Sequence, residues 1–406
     1  MDKSKDINTD ISAPEKAQDG LLRIETYRSG IFQFQIGVDI PRLRPLLQRV
    51  EDAHQRFSSV PILPDVATAL EKEVLVSSIY GTNTIESGTL TEAETAQILS
   101  DPGKAKEEKD RRVVNIGEAY EIAEGFGKYW AETLKSEQRP HLLLHEKMFT
   151  DLHRKITRDL SHLDNVPGRY RDNPKQRRTQ VGDSDHGGIY TPPKCLEDIQ
   201  TLMQTFIEWV NSEPVYGLPP LIRAPLIHYY FERIHPFWDG NGRVGRVAEA
   251  MTLKAASYQY APFALSHYYL EHIDRYFSGF TAARKAEGGN EPYPNTVFVE
   301  FFLEGMLTVL NRLHDRVNQI IGILLYKSAL RDFYERKVIN ARQYTVVSNL
   351  LHKGTTHSLA EVQTQPWYVT LYMKLTPKTR ARDMKRLEDI KLLSVEKGGS
   401  IVLLVP

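Results

Sequence analysis

Hydrophobic positions recur at three- and four-residue intervals over most of the chain, which predicts a mainly α protein. In PDVATALEKEVLVSSIY, Val66, Leu70, Val74 and Ile79 fall near one helical face. That stretch runs into the punctuated GTNTIESGTLTEAE, where Thr91 before Glu94 has capping-box spacing and predicts a helix start. Val113, Ile116, Tyr120 and Ala123 mark another apolar stripe in EEKDRRVVNIGEAYEIAEGF, and HLLLHEKMFTDLHRKI reads as a further helix. The periodicity then stops. NVPGRYRDNPKQRRTQVGDSDHGGIYTPP is rich in Gly, Pro, Asp and Arg, the composition of a long loop carrying one hairpin. Loops of that length are usually functional or disordered. Helices resume in LEDIQTLMQTFIEWV and LIRAPLIHYYFERI.

Past about Arg336 the texture changes. LTPKTRARDMKRLEDIKLL reads as a helix with Thr376 as N-cap and Pro377 in the first turn. SVEKGGSIVLLV reads as a hairpin turning at Lys397, Gly398 and Gly399. A helix followed by a short β-ribbon predicts a winged helix-turn-helix. The expected plan is a disordered tail at 1–20, an N-terminal helical region at 21–105, a core at 106–285, a helical connector at 286–338 and the winged-helix domain at 339–406. Between Lys374 and Lys391 seven Lys and Arg face three acids, a local surplus of four. Such a helix and wing suit DNA phosphates. They equally suit a protein-docking module whose charges are merely solvated, and the sequence leaves both open.

The length of 406 residues predicts two or three domains, and 41% hydrophobic residues can fill their cores. Lys+Arg and Asp+Glu both number 52, so no global charge directs the chain to nucleic acid or membrane. One cysteine, Cys195, excludes an intrachain disulfide and fits a reducing compartment as an ordinary semi-buried thiol. The polar N-terminus has no apolar signal core. Runs such as IIGILLY fall well short of the ~20 residues that cross a bilayer. A cytoplasmic protein without membrane partners is expected.

The chemistry concentrates in HPFWDGNGRVGR, from His235 to Arg246. Val244, Val247, Ala248 and Met251 form the apolar face of a helix starting near Arg243. Gly240 and Gly242 permit close approach of a ligand. Main-chain N–H groups at a helix N-terminus cradle anions. Arg243 and Arg246 can grip further phosphate oxygens, and Asp239 offers a hard oxygen for Mg²⁺ shared with substrate phosphates. His235 stands at the other lip of the loop, and imidazole suits a general base. A lone glycine turn would be only a connection. This combination describes a polyphosphate at a helix mouth with a metal and a proton acceptor beside it.

The stretch resembles the Fic family pattern HxFx(D/E)GNGRxxR at every specified position: His235, Phe237, Asp239, Gly240, Asn241, Gly242, Arg243 and Arg246. HYYFERIHPF, PGRYRD and GGIYTPP are also similar to that family, and the likeness runs from about Ser77 to Arg284. It implies a helical Fic-type core with a β-hairpin flap, and transfer of AMP from Mg·ATP to a protein hydroxyl. His235 would take the acceptor's proton, and Asp239 would hold Mg²⁺. Asn241 and the amides from Gly240 to Arg243 would line the anion site, Arg246 would reach the γ-phosphate, and Phe237 would anchor the loop. Gly188, Ile189 and Tyr190 would belong to the flap that pairs with an extended target segment. Tyr276 would stand beside the nucleotide, where Arg284 replaces an asparagine the family often has.

TNTIESG resembles the family's inhibitory motif (S/T)xxxE(G/N), with Thr82 and Glu86 in the key places and Ser87 where Gly or Asn is usual. The resemblance implies that Glu86 pairs with Arg246 and competes with the γ-phosphate; relatives often relieve such an upstream helix by changes in assembly, and the sequence leaves a homo-oligomer open. Three readings follow: an autoinhibited protein adenylyltransferase, a hydrolase that removes AMP from a protein, or a DNA-binding regulator whose core senses nucleotide.

Overall fold

The computed structural model describes residues 20–137, 142–174, 177–186, 188–396 and 398–405. The expected disordered tail lies, but for Gly20, outside the described residues, as does Lys397 of the terminal turn. The described chain opens on a hairpin not foreseen in the sequence, β1 (Leu22–Glu25) and β2 (Ile31–Phe34), paired antiparallel. Strands of four residues leave too little alternation to read. Burial holds them instead: Phe34 packs against Phe206, Trp209 and Tyr230 with ring centroids 5.2–6.3 Å apart.

Five helices follow: α1 (Ile40–Ser58), α2 (Pro64–Ile85), α3 (Glu92–Ser100), α4 (Glu108–Glu137) and α5 (Glu146–Ile156). The capping box is present, with Thr91 Oγ1 accepting from Glu94 N and Glu94 Oε2 accepting from Thr91 N. The helix expected to span HLLLHEKMFTDLHRKI is shorter, because Leu142 to His145 are not helical. Side chains take their backbone groups: Asn211 binds both N and O of Leu144, and Arg223 Nη1 donates to Leu142 O. Buried Leu142 and Leu144 alternate with more exposed neighbours, as in a strand.

Next come α6 (Leu196–Val210), α7 (Glu213–Tyr216), α8 (Pro220–Ile234), α9 (Asn241–Ala255), α10 (Ala261–Glu271), α11 (Ile273–Gly288) and α12 (Thr296–Glu335). Helix α9 starts two residues before the expected Arg243. It is buried along almost its whole length, against α8 on one side and α4 on another. Helix α2 lies against α10 so closely that a Cβ at Gly81 would stand 2.7 Å from the Ser266 carbonyl. No helix among the described residues is long and apolar enough to cross a membrane.

The chain divides into two compact units, one through Leu313 and one from His314. The second contains α13 (Ala341–Lys353), β3 (Thr356–Ser358), α14 (Leu359–Thr364), α15 (Pro366–Tyr372), α16 (Pro377–Asp389), β4 (Leu393–Val395) and β5 (Ser400–Leu403). Its antiparallel sheet has the order β3-β5-β4. The expected basic helix and its ribbon are therefore present, with Thr376 capping α16. Strand β3 and the short α14 and α15 were not foreseen.

Buried Asp383 pins α16 in place. It accepts from Arg342 Nε at 2.5 Å and Nη2 at 3.1 Å, from Gln343 Nε2 at 3.1 Å and from Tyr372 OH at 3.1 Å. Removing one member of a buried charge pair costs roughly 3–5 kcal/mol, because the partner is left uncompensated. Asp383→Ala should lower the thermal midpoint of the second unit and leave that of the first in place. Calorimetry showing two unshifted transitions would contradict this role.

Candidate active site

Helix α8 ends at His235 in the left-handed region, φ 49° and ψ 60°, with its N–H bonded to Phe231 O. Five residues later α9 begins behind Gly240, also left-handed at φ 83°. The intervening loop is fixed by three side chains. Asn241 staples it from within, accepting from Phe237 N and donating to Phe237 O, both at 2.9 Å. Fully buried Arg171 donates from Nε to His235 O at 2.7 Å and from its backbone N to Pro236 O at 2.9 Å. Its Nη2 reaches Pro193 O at 2.7 Å, and burial lowers its pKa to about 10, so it stays charged at neutral pH. His153 lies flat on Phe237, with centroids 3.6 Å apart and planes 1° from parallel. Its Nδ1 accepts from Gly168 N at 2.9 Å, so the proton sits on Nε2 and is donated to Asp239 O at 3.0 Å. Burial lowers this imidazole to about pKa 4, which keeps that tautomer neutral.

The start of α9 has no side-chain cap, so its first amides are available to an anion. The Glu86 carboxylate already stands there. A Cβ at Gly242 would lie 2.1 Å from Glu86 Oε1, an approach only glycine permits. The same oxygen accepts from Arg246 Nη2 at 2.6 Å. Arg246 Nε donates to Thr82 Oγ1 at 2.6 Å, and Arg112 Nη2 holds the Glu86 carbonyl at 2.7 Å. Burial alone would raise the Glu86 carboxyl, but Arg246 and Arg243 outweigh it and hold the group below its ordinary range. The ion pair is thus complete at neutral pH and is lost only as pH falls through that depressed value.

Glu86 follows the last helical residue of α2, and the backbone there is a Schellman turn. Gly88 N bonds to Asn83 O at 2.8 Å and Ser87 N to Thr84 O at 3.0 Å. Ser87 takes the left-handed position at φ 64°, where a residue other than glycine is strained by roughly 1–2 kcal/mol. The left-handed position is therefore filled by a serine under strain. Gly88 answers a different need, since a Cβ there would come within 2.2 Å of Asn83 Nδ2.

Behind Arg246 runs a buried relay that the sequence did not disclose. Arg246 Nη1 donates to Tyr276 OH at 3.1 Å, and that hydroxyl lies 3.0 Å from His228 Nε2. His228 Nδ1 lies 2.8 Å from Glu249 Oε2, and Tyr269 OH donates to Glu249 Oε1 at 2.8 Å. Burial first of all pushes Tyr276 well above the usual phenol range, so it remains a donor toward His228. A Cβ at Gly245 would stand 2.9 Å from His228 Cδ2, so that glycine lets α8 and α9 close on the relay.

A cavity of 320 Å³ opens over this assembly. Its polar end is Glu86, Asp239, Gly240, Asn241, Gly242 and Arg246, with His235 and Glu232 on one wall. Phe277, Phe280 and the Tyr276 ring form an apolar wall with Arg284. Glu232 Oε2 is 3.5 Å from His235 Nδ1, beyond a normal hydrogen bond.

Several expected residues sit differently from their sequence-based roles. Arg243 is fully buried and bridged to Asp239 Oδ1 at 2.7 Å instead of lining the cavity. Asn241 lines it with its backbone, the side chain being committed to Phe237. Tyr276 braces Arg246 through its hydroxyl. Among the described residues the flap shows one antiparallel bridge, Val181 N to Tyr190 O at 2.9 Å and Tyr190 N to Val181 O at 2.7 Å. Tyr190 OH donates to Arg233 O, and its ring lies under the Arg284 guanidinium at 4.6 Å. Gly188 N is tied to Asp183 O. Ile189, 58% exposed, is left as the outward position of the flap.

Asp239 fits a shared Mg²⁺. Its bonds to Gly240 N and Arg243 fall on Oδ1, and burial's upward pull is outweighed by Arg243, which keeps the carboxyl below its ordinary range. Among the described residues no group of three His, Cys, Asp or Glu could cage a metal alone. A single carboxylate plus substrate phosphates is the usual magnesium arrangement.

Residues 143–253 match the Fic/DOC family. The protein adenylyltransferase Fic of Culex quinquefasciatus is 31% identical over 215 residues, covering 52% of this chain and 38% of its own length. That of Nematostella vectensis is 29% identical over 248 residues, covering 58% and 52%. The chain thus spans about half or less of the length of these curated relatives. A Fic family protein from Desulfovibrio desulfuricans superposes with a TM-score of 0.51 at 17% identity, over 89% of this chain and 96% of that one. A Fic-domain signalling protein from Bacteroides thetaiotaomicron gives 0.51 at 20%, over 66% and 97%. At these identities the structures establish a shared fold. The chain carries a Fic domain, and Glu86 lies upstream of the matched segment.

The flap is latched to α11 by His186, whose Nδ1 faces Asp183 at 2.8 Å and whose Nε2 faces Asp274 at 3.0 Å. Asp274, then Asp183, raise the imidazole's pKa. A raised value means the latch is complete at low pH and is lost as pH rises through it. Protection of the Val181 and Tyr190 amides, divided by that in His186→Gln, should fall over this window. A ratio constant from pH 5 to 9 would contradict the latch.

Proposed function

We propose that the protein is an autoinhibited adenylyltransferase, moving AMP from ATP to a hydroxyl side chain of a target protein. The observation that carries the reading is the Glu86 carboxylate seated over Gly242 at the mouth of α9 and bonded to Arg246 at 2.6 Å. A side-chain anion stands where the helix amides and a buried guanidinium would receive a terminal phosphate. The names of the curated relatives supply the chemistry such a cradle serves.

In this reaction the target oxygen attacks the α-phosphorus. A new P–O bond forms, the bond to pyrophosphate breaks, and His235 takes the hydroxyl proton. The left-handed turn at His235, held by Arg171, aims the ring across the loop from the α9 amides. Glu232 balances the charge it acquires. The amides of α9 and Arg246 neutralise phosphate oxygens, which is most of what phosphoryl-type transfer requires. Mg²⁺ bound by Asp239 would neutralise further phosphate charge. Ile189 on the flap offers main-chain groups to an extended target segment.

With Glu86 in place, the γ-phosphate meets an occupied Arg246 and the triphosphate is held out of line. Glu86→Gly should raise AMP transfer, self-modification included, by at least tenfold. Adding His235→Ala to that variant should abolish transfer and leave ATP affinity within about threefold. Labelled ATP incorporation and calorimetric binding measure the two. Equal incorporation by wild type and Glu86→Gly would overturn the autoinhibition. Loss of AMP release from a modified target in Glu86 variants, without any gain in transfer, would favour the hydrolytic direction.

A further inference from the structure

The formal neutrality of the chain conceals two opposite charges. Residues 314–406 hold fifteen Lys and Arg against eight Asp and Glu, a surplus of seven. The remaining 37 basic and 44 acidic residues, obtained by subtraction from 52 of each, leave the first unit at a deficit of seven. Helix α16 carries five of those fifteen cations, Lys378, Arg380, Arg382, Lys385 and Arg386, against three acids. Lys378, Arg382 and Lys385 stand at i, i+4 and i+7 of α16 and are all exposed, with exposed Lys374 just before its cap.

Two of the three nearby acids do not offset this row. Asp383 is buried and bound to Arg342, and Glu388 Oε1 accepts from Val395 N at 2.9 Å. Only Asp389, in the last turn, shares the surface. Two exposed arginines elsewhere in the unit have acid partners one turn away, Arg331 with Glu335 and Arg336 with Asp332. The four on and before α16 appear in none of the ion pairs recorded among the described residues. A solvated helix face usually mixes its signs. This one does not.

We propose that α16 docks on duplex DNA, with Lys374, Lys378, Arg382 and Lys385 on its phosphates. Thirteen residues make a rod of about 20 Å, and the B-form major groove admits an α-helix where the deep, narrow groove of A-form RNA does not. Exposed Ala381, between Lys378 and Arg382, keeps the face slim enough to enter. The helix follows α15 after a short turn and precedes the β4–β5 ribbon, the order of a groove-entering helix with a wing behind it. This inference does not depend on the transferase reading.

The test is fluorescence anisotropy of the full chain with a labelled 25-base-pair duplex, titrated between 50 and 200 mM salt. Each phosphate contact contributes roughly −0.9 to the slope of log K against log salt, so four contacts predict a slope near −3.6. Lys378→Gln, Arg382→Gln and Lys385→Gln together should flatten it by about 2.7, with the unfolding midpoint unchanged. Arg331→Gln with Arg336→Gln should leave it as it is. An unaltered slope in the triple variant overturns the assignment, as does equal affinity for duplex RNA. Absence of duplex binding at 50 mM salt also overturns it.

Discussion

The guanidinium of Arg246 is the constraint around which this site is built. It is 2% exposed, and a charge taken out of water is tolerated only when its donors are met by oxygens. Thr82 and Glu86 meet it from α2 and Tyr276 meets it from α11, with His228 and Glu249 bracing Tyr276 from behind. Burial works against the charge, yet Tyr276 and Glu86 more than offset it. Any arrangement that withdraws the Glu86 carboxylate must supply another anion to the same face. The inhibition and phosphate binding we propose would be two solutions to that one electrostatic requirement.

What can move and what cannot follows from the surrounding bonds. The loop from His235 to Gly240 is held from three directions by Asn241, Arg171 and His153, each through main-chain atoms. Such an over-determined loop keeps the His235 ring and the helix amides in register whatever occupies the cavity. The end of α2 is different. It closes on a left-handed serine, and beyond Thr82 its hold on the site is Glu86, a quarter exposed, through its carboxylate to Arg246 and its carbonyl to Arg112. The cheapest rearrangement available is to let that turn yield while the loop stays fixed.

Much of this was legible in the sequence, and the failures share a cause. HPFWDGNGRVGR declared its loop and helix because glycines, a histidine and arginines at fixed spacing carry their mechanism locally. Thr82 and Glu86 were legible as a spaced pair. Arg171, His153, Arg112, His228 and Glu249 were not assigned roles, since each acts through partners 21 to 86 residues away in the chain. Arg243 was misplaced because spacing shows which residues share a turn but not which one the loop folds over. Leu142 to His145 read as helix from hydrophobicity, while side chains of Asn211 and Arg223 had already claimed that backbone. Net charge misled in the same way, since it averaged two units of opposite sign.

The account turns on competition between one carboxylate and one terminal phosphate for Arg246. The direct measurement is calorimetric affinity for ATP and for ADP, in wild type and in Glu86→Gln, which removes the charge and keeps the shape. Competition at the γ-position predicts that the substitution tightens ATP by at least tenfold and moves ADP by less than threefold. Equal gains for both nucleotides, or none for ATP, would contradict it.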